Sequence, residues 1–201
     1  MLGMLRIKVV TTFYRRVVLM VRWTDLDEQP PSAPSSFRFD VLSDDDLGTY
    51  RELRPDAAPA EIEARLAKGD RCVALWDGAD LVQAAWSATG PGPFYVPYLR
   101  RDMILEASDV CLYDSFTPKE RRGAGLAQVR DGFSRLHFAA LGFRRAVALV
   151  AVENQAGLRT LEPVRYRAIG IDRVVLLGPW QGARCEPFGS EAVLPLRRPT
   201  A

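Results

Sequence analysis

The run Arg121-Arg122-Gly123-Ala124-Gly125-Leu126-Ala127 combines residue types that hold an anion. Two guanidinium groups stand beside two glycines, and glycine lets a backbone turn sharply with no side chain between its N–H groups and a ligand. The preceding residues, Val110 to Phe116, are apolar, β-branched and aromatic, which predicts a strand, while Leu126 to Leu141 has helical spacing. The order is strand, tight loop, helix. The first helical turn leaves its N–H donors unpaired, and the arginines add positive charge there. A pyrophosphate suits such a loop better than a carboxylate does.

Sulfur and imidazole chemistry has less support. Cys72, Cys111 and Cys185 are widely spaced, and two of them sit in apolar strand-like runs, which predicts buried reduced thiols and a reducing compartment. No Cys-x-x-Cys spacing offers a metal site, and His137 is the only histidine. A nucleophilic thiol would need Cys111 to meet His137. A lone histidine inside a helix is more often a packing or surface residue than a catalytic one.

The elements around the loop follow from composition and pattern. With 201 residues and 48% hydrophobic content, one well-packed domain is expected. A net charge of +2 gives no general polyanion-binding surface, so no nucleic-acid partner is expected. Only Lys8, Lys68 and Lys119 are lysines, so 27 − 3 = 24 basic residues are arginine, which points to a bacterial genome of high GC content.

Met1 to Thr24 is apolar with Arg6, Lys8, Arg15, Arg16 and Arg22 interspersed. Those charges break the core a signal peptide needs, and no run of ~20 apolar residues exists for a spanning helix. A cytoplasmic protein without stable membrane insertion is expected. Two readings of the segment stand: a basic interfacial stretch, or an accessory strand over Arg16–Trp23 that joins the sheet or a partner chain. β-branched content favours the strand.

Asp25 to Ser36 reads as a linker, and Phe37–Leu42 as a first strand. Ser43 or Asp44 caps a helix through Leu47, Tyr50 and Leu53, with Asp44, Asp45 and Asp46 at its positive end. These carboxylates serve as capping charge or attract a cationic substrate. Pro59 opens a second helix over Ala60–Lys68. Arg71–Trp76 and Leu81–Ala88 form a hairpin about Asp77-Gly78-Ala79-Asp80. Gly90–Arg101, rich in glycine, proline and aromatics, reads as a loop that covers a substrate or buries its own rings. The motif strand is entered from Met103. Ile171–Leu177 reads as a closing strand, and Gly182–Ala201 as an irregular tail.

Arg122-x-x-Gly125-x-Ala127, after a strand and a Pro118 turn, resembles the acyl-CoA pyrophosphate loop of the GNAT N-acetyltransferase superfamily, whose pattern is Gln/Arg-x-x-Gly-x-Gly/Ala. The rest of that family's signature follows in order: the strand Arg145–Val152, Asn154 opening the helix Gln155–Glu162, and Tyr166 before Gly170. The resemblance covers about Phe37 to Gly178 and is specific between Val110 and Tyr166.

It implies an α/β GNAT fold, with a mixed central sheet, helices on both faces and a splayed central strand pair. The division expected is 1–36 accessory strand and linker, 37–178 acyltransferase domain and 179–201 tail. The implied activity is direct transfer of acetyl from acetyl-CoA to a primary amine of a small molecule or peptide. The backbone at Phe116 and Thr117 would meet pantetheine, and the N–H groups of Arg121, Arg122, Gly123, Ala124, Gly125, Leu126 and Ala127 would hold the pyrophosphate. Asn154 would hydrogen-bond along the same arm, and it also suits a simple N-cap.

The chain departs from the family where a Tyr acid commonly stands seven residues after the Asn, because that position is Leu161. Arg165 replaces the usual Gly, and Pro163 is unusual in that helix. Tyr113, or a water, is left as acid. Asp114 becomes the base candidate, since burial in an apolar run would raise its pKa into a useful range. Two alternatives remain: a longer acyl group delivered by acyl-CoA or acyl carrier protein to an amino acid, and a non-catalytic acyl-CoA-binding module. A homodimer formed through the last strands or the N-terminal strand is also compatible with the pattern.

Overall fold

A computed structural model of the chain describes residues 13–23, 34, 36–97, 99, 101–162, 166–177 and 180–193. The strands, in order, are β1 Phe13–Trp23, β2 Phe37–Val41, β3 Arg71–Asp77, β4 Asp80–Thr89, β5 Gly92–Val96, β6 Arg101–Leu105, β7 Asp109–Phe116, β8 Arg145–Ala151, β9 Arg167–Leu177 and β10 Trp180–Val193. The helices are α1 Leu47–Leu53, α2 Pro59–Ala67, α3 Leu126–Ala140 and α4 Gln155–Leu161. Two compact units divide the chain. The larger comprises Trp23–Phe94 and Asp102–Ala148, and the smaller comprises Met1–Arg22, Tyr95–Arg101 and Leu149–Ala201.

In the larger unit the strand order is β8-β7-β4-β3-β2. The β2-β3, β3-β4 and β4-β7 pairs are antiparallel, whereas β7 and β8 run parallel, so the sheet is mixed. Because side chains alternate along a strand, Cys72, Ala74 and Trp76 of β3 face one way and Leu75 the other. The first face packs with Tyr50 of α1 and Ile62 of α2. The second packs through Leu75 and Val82 against Leu126, Val129 and Phe133 of α3. Helices therefore cover both faces. Trp86 and Tyr50 lie at the centre of the first, with rings edge-to-face at 5.8 Å. The Trp86 indole N–H donates to the Tyr50 hydroxyl at 2.9 Å, so two large buried rings keep no polar tip unpaired.

Of the acidic triplet, Asp46 serves the backbone. The Ser43 N–H and hydroxyl both donate to Asp46 Oδ2, at 2.9 and 2.6 Å, and close the turn that leads into α1.

In the smaller unit β9 is central, with β1 and β10 antiparallel on its two sides. The strand expected at Arg16–Trp23 thus lies within a longer strand. Arg101 reaches the buried Asp172 of β9 at 2.8 Å.

Three expectations need correction. The Gly182–Ala201 stretch is not an irregular tail as far as Val193, because β10 pairs with β9 along most of its length. Pro187 is tolerated there since β10 is an outer strand, and a register shift follows it. Gly90–Arg101 is not all loop: β5 and β6 form a two-stranded ribbon. The strand expected from Met103 to Phe116 is broken at 106–108, where Glu106 N–H donates to Asp109 Oδ2 at 2.8 Å and Asp109 N–H to Glu106 O at 2.9 Å. The polar stretch Glu106-Ala107-Ser108-Asp109 carries this turn, which Asp109 closes on itself. Residues 1–12, Pro163, Arg165 and the end of the chain from 194 lie outside the described residues.

Candidate active site

The site is built on β7. Its ladder with β4 runs from Thr89–Val110 to Trp86–Tyr113 and resumes at Ala84–Phe116, so Asp114 and Ser115 together oppose Ala85. This one-residue bulge bends the strand. Asp114 sits at φ +47°, a left-handed backbone that Asp adopts more readily than most non-glycine residues. On the other edge, the parallel ladder to β8 ends at Cys111–Val147. Among the described residues, Leu112 to Phe116 have no partner in that ladder.

After Phe116 the chain turns through Thr117 and Pro118 into a short 3-10 turn, Lys119–Arg121, and reaches Gly125, the N-cap of α3 at φ +72°. Gly123 stands at φ +85°. Among the described residues, the N–H groups of Gly123, Ala124, Gly125, Leu126 and Ala127 donate to no carbonyl; the first paired amides of the helix are Gln128 and Val129, both to Gly125 O, at 3.0 and 3.1 Å. Five consecutive donors are left at the positive end of a four-turn helix. Arg122 Nε donates to Thr117 O at 3.0 Å and ties the loop to the end of the strand. Arg121 lies in ion-pair range of Asp77 and Asp80, at 3.8 and 3.7 Å, too far for a hydrogen bond.

On the face covered by α1 and α2, charged groups converge on the bulge. Arg65 Nη1 lies 2.6 Å from Asp114 Oδ2, and Arg54 Nη1 lies 3.1 Å from Asp114 Oδ1. The two arginine side chains are only 12% and 16% exposed, for Arg54 and Arg65 respectively. Aromatic rings line the clamp: Arg54 stands over Phe116 at 4.6 Å, and Arg65 over Trp86 and Tyr113 at 5.1 and 5.2 Å. Asp56 and Glu61 pair with the outer sides of Arg54 and Arg65.

Tyr113 donates its hydroxyl to Asp70 Oδ2 at 2.5 Å, and its ring packs on Phe94 at 4.9 Å. Burial pushes the Tyr113 phenol well above its ordinary range, and the Asp70 carboxylate adds to this. Burial also raises Asp70, and the Tyr113 hydrogen bond offsets only part of that rise.

The sequence-derived site residues therefore separate into groups. Tyr113, Asp114, Phe116, Thr117 and Arg121 to Ala127 all lie on β7 or in the loop after it. Both oxygens of Asp114, the expected base, are engaged by arginines. Asn154 belongs to the smaller unit, where its Oδ1 accepts from the Gly157 N–H at 3.0 Å, so the N-cap role is present. A sulfur nucleophile has no support: Cys72 and Cys111 are buried, and burial pushes the Cys72 thiol up to about 12 and Cys111 higher. His137 packs on Phe39 and Phe138 instead. Arg54, Arg65 and Asp70 were not foreseen. They lie 60, 49 and 43 positions from their β7 partners, and no local spacing marks such pairs.

Among the described residues, no cluster of His, Cys, Asp and Glu could hold a metal ion, and no helix is long and apolar enough to cross a membrane.

No protein-family model matches the sequence, and no curated protein does. The structure is similar to several solved ones. An acetyltransferase of the GNAT family from Colwellia psychrerythraea aligns with 82% of this chain and 56% of its own, at 13% identity and a TM-score of 0.58. A GNAT-family acetyltransferase from Novosphingobium aromaticivorans aligns with 81% of this chain and 64% of its own, at 16% identity and a TM-score of 0.51. The glucosamine N-acetyltransferase region of a fungal multi-domain β-N-acetylglucosaminidase aligns with 86% of this chain and 22% of its own, at 12% identity and a TM-score of 0.57. The chain spans about half to two-thirds of the first two proteins and about a fifth of the third. Likeness at this level establishes the fold, which is the GNAT fold.

Proposed function

We propose that the protein binds an acyl-CoA, acetyl-CoA foremost, and transfers the acyl group directly to a primary amine of a small molecule or peptide. The observation that carries this reading is the row of five unpaired N–H groups, Gly123 to Ala127, at the end of a bulged and splayed strand. The row matches a pyrophosphate in charge and donor count, Arg121 and Arg122 add cations, and the unpaired edge of β7 offers backbone groups to an amide-bearing arm.

In the reaction the amine lone pair attacks the thioester carbonyl carbon, the C–N bond forms, and the C–S bond breaks. The oxygen that gains charge is met by a backbone N–H at the bulge. The nitrogen gives up its protons, and the departing thiolate takes one. Tyr113 and Asp70 handle the first of these: the Tyr113 oxygen accepts a proton from the substrate ammonium as the phenolic proton passes to Asp70. Asp70 replaces Asp114 as the carboxylate of the base, since it is half-buried, has a raised pKa and accepts the hydrogen bond of the Tyr113 hydroxyl. One neighbour of the same fold is described as acting on glucosamine, an amine, in keeping with this acceptor class.

The experiment is thiol release from acetyl-CoA against a panel of amino sugars, polyamines, amino acids and peptide N-termini. Amine-dependent release, lost in Tyr113→Phe at neutral pH, supports the reading. Tight acetyl-CoA binding without amine-dependent release anywhere in the panel contradicts it and leaves a binding module.

A further inference from the structure

Asp114 holds an unusual backbone and an unusual side-chain environment at once. Its φ of +47° is the single positive value among the described non-glycine residues, and it falls at the bulge in the β4–β7 ladder. Such a conformation is strained and persists where surrounding contacts over-determine it. The contacts here are two arginines. Arg54 comes from the C-terminal end of α1 and Arg65 from the last turn of α2; each takes one carboxylate oxygen, and each lies against aromatic rings that limit its movement.

We infer that Arg54 and Arg65 are positioning residues that lock the β7 bulge through the Asp114 side chain, and so aim the backbone N–H groups of the bulge at the thioester carbonyl. This rests on the transfer reaction proposed above. The arginines do not act on substrate themselves. Each has a carboxylate on both sides, Asp56 and Asp114 for Arg54, Glu61 and Asp114 for Arg65, so neither offers a free cation to an anionic acceptor. Their positive charge is spent within the network, and what the network holds still is a backbone.

Glycine provides the test, because it takes a left-handed backbone with no clamp. The variants are Arg54→Met/Arg65→Met, the same pair with Asp114→Gly, and Arg65→Lys as a milder change, each checked for folding by circular dichroism. The first readout is hydrogen exchange of a peptide covering residues 110–118. Exchange in the double methionine variant is expected to rise about 10-fold and to return towards wild type when glycine is added. The second readout is thiol release with an amine found in the panel above: kcat falls about 100-fold in the double variant, KM for acetyl-CoA stays within about twofold, and glycine restores most of the rate. Arg65→Lys gives an intermediate loss in both, as lysine keeps the charge but not the planar fork. Unchanged exchange in the double variant overturns the proposal, as does failure of glycine to restore it. A rise in KM for the amine at constant kcat also overturns it, by making the arginines acceptor ligands. If the wild type transfers no acyl group, the exchange readout alone still decides the clamp, and only the reading of function falls.

Discussion

Arg65 and Asp114, 49 residues apart in the chain, meet at 2.6 Å between Nη1 and Oδ2. The pair joins the last turn of α2 to the bulge of β7, so the helical cover and the bent strand are held as one piece. Breaking such a partly buried pair is costlier than its net worth, because the remaining charge is left without a counter-ion. Asp114→Ala leaves two guanidinium groups without their shared carboxylate and puts at positive φ a residue that adopts it less readily than Asp. A stability loss of about 2–3 kcal/mol is expected in urea unfolding. Asp114→Asn, which tolerates the backbone and keeps one acceptor oxygen, loses less.

Asp70 and Tyr113 give a pH signature. The folded-state pKa of Asp70 is raised above the ordinary 3.8 by burial. A raised pKa means stability that is fully present below the unfolded value and lost as pH rises through the folded one. The thermal stability of the wild type is therefore expected to fall as pH rises from below 3.8 through the higher folded value, and Asp70→Asn removes that component. Tyr113→Phe takes away the hydrogen bond that stabilises the ionised carboxylate, which costs about 1–2 kcal/mol at neutral pH and widens the window upwards. An Asp70→Asn variant with the wild-type pH dependence over this range contradicts the assignment.

Gly90 marks a close backbone approach. A β-carbon built there meets the Glu106 carbonyl oxygen at 1.9 Å, and the Gly90 N–H donates to Asp109 O at 3.0 Å. Neither backbone can yield without breaking the turn that starts β7. Gly90→Ala is expected to cost roughly 3 kcal/mol. Gly123→Ala, with nothing within 4 Å of the added carbon, costs only the strain of its φ, about 1 kcal/mol. Unfolding midpoints of the two variants check this order.

Cys72 and Cys111 are reduced and buried, with thiol pKa values raised by desolvation. Since the thiolate is the reactive form, neither is expected to react with an aromatic disulfide reagent in the native protein, and both are expected to react after unfolding. Rapid native labelling of either one, located by peptide mapping, contradicts the packing described for β3 and β7.

The loop was legible because its information is local. Gly123 and Gly125 stand where φ is positive, the strand before them is apolar, and the helix after them is periodic. The hairpin about Gly78 and the helix opened by Pro59 were legible for the same reason. β10 was not, since Gly182, Pro187 and Gly189 mimic loop punctuation; pairing with β9 overrides it, and Gly170 makes room where Glu186 O approaches to 3.0 Å of a β-carbon position. The fork of Arg54 and Arg65 and the Asp70 partner of Tyr113 were hidden too. Each joins residues that only the packing of helices on the sheet brings together, and arginine and aspartate are too common on surfaces for their type alone to reveal them.

The most direct test of the central claim is calorimetric titration of the wild type and of Gly125→Glu with acetyl-, octanoyl- and palmitoyl-CoA. Gly125 stands in the middle of the row of unpaired N–H groups, at φ +72°, so a glutamate there brings a negative charge and a strained φ to the anion site while the rest of the surface is unchanged. Binding of acetyl-CoA by the wild type, weakened at least about 100-fold in the variant, is the result the account predicts. Wild-type protein that binds none of the three thioesters, or a variant that binds acetyl-CoA as well as the wild type, contradicts it.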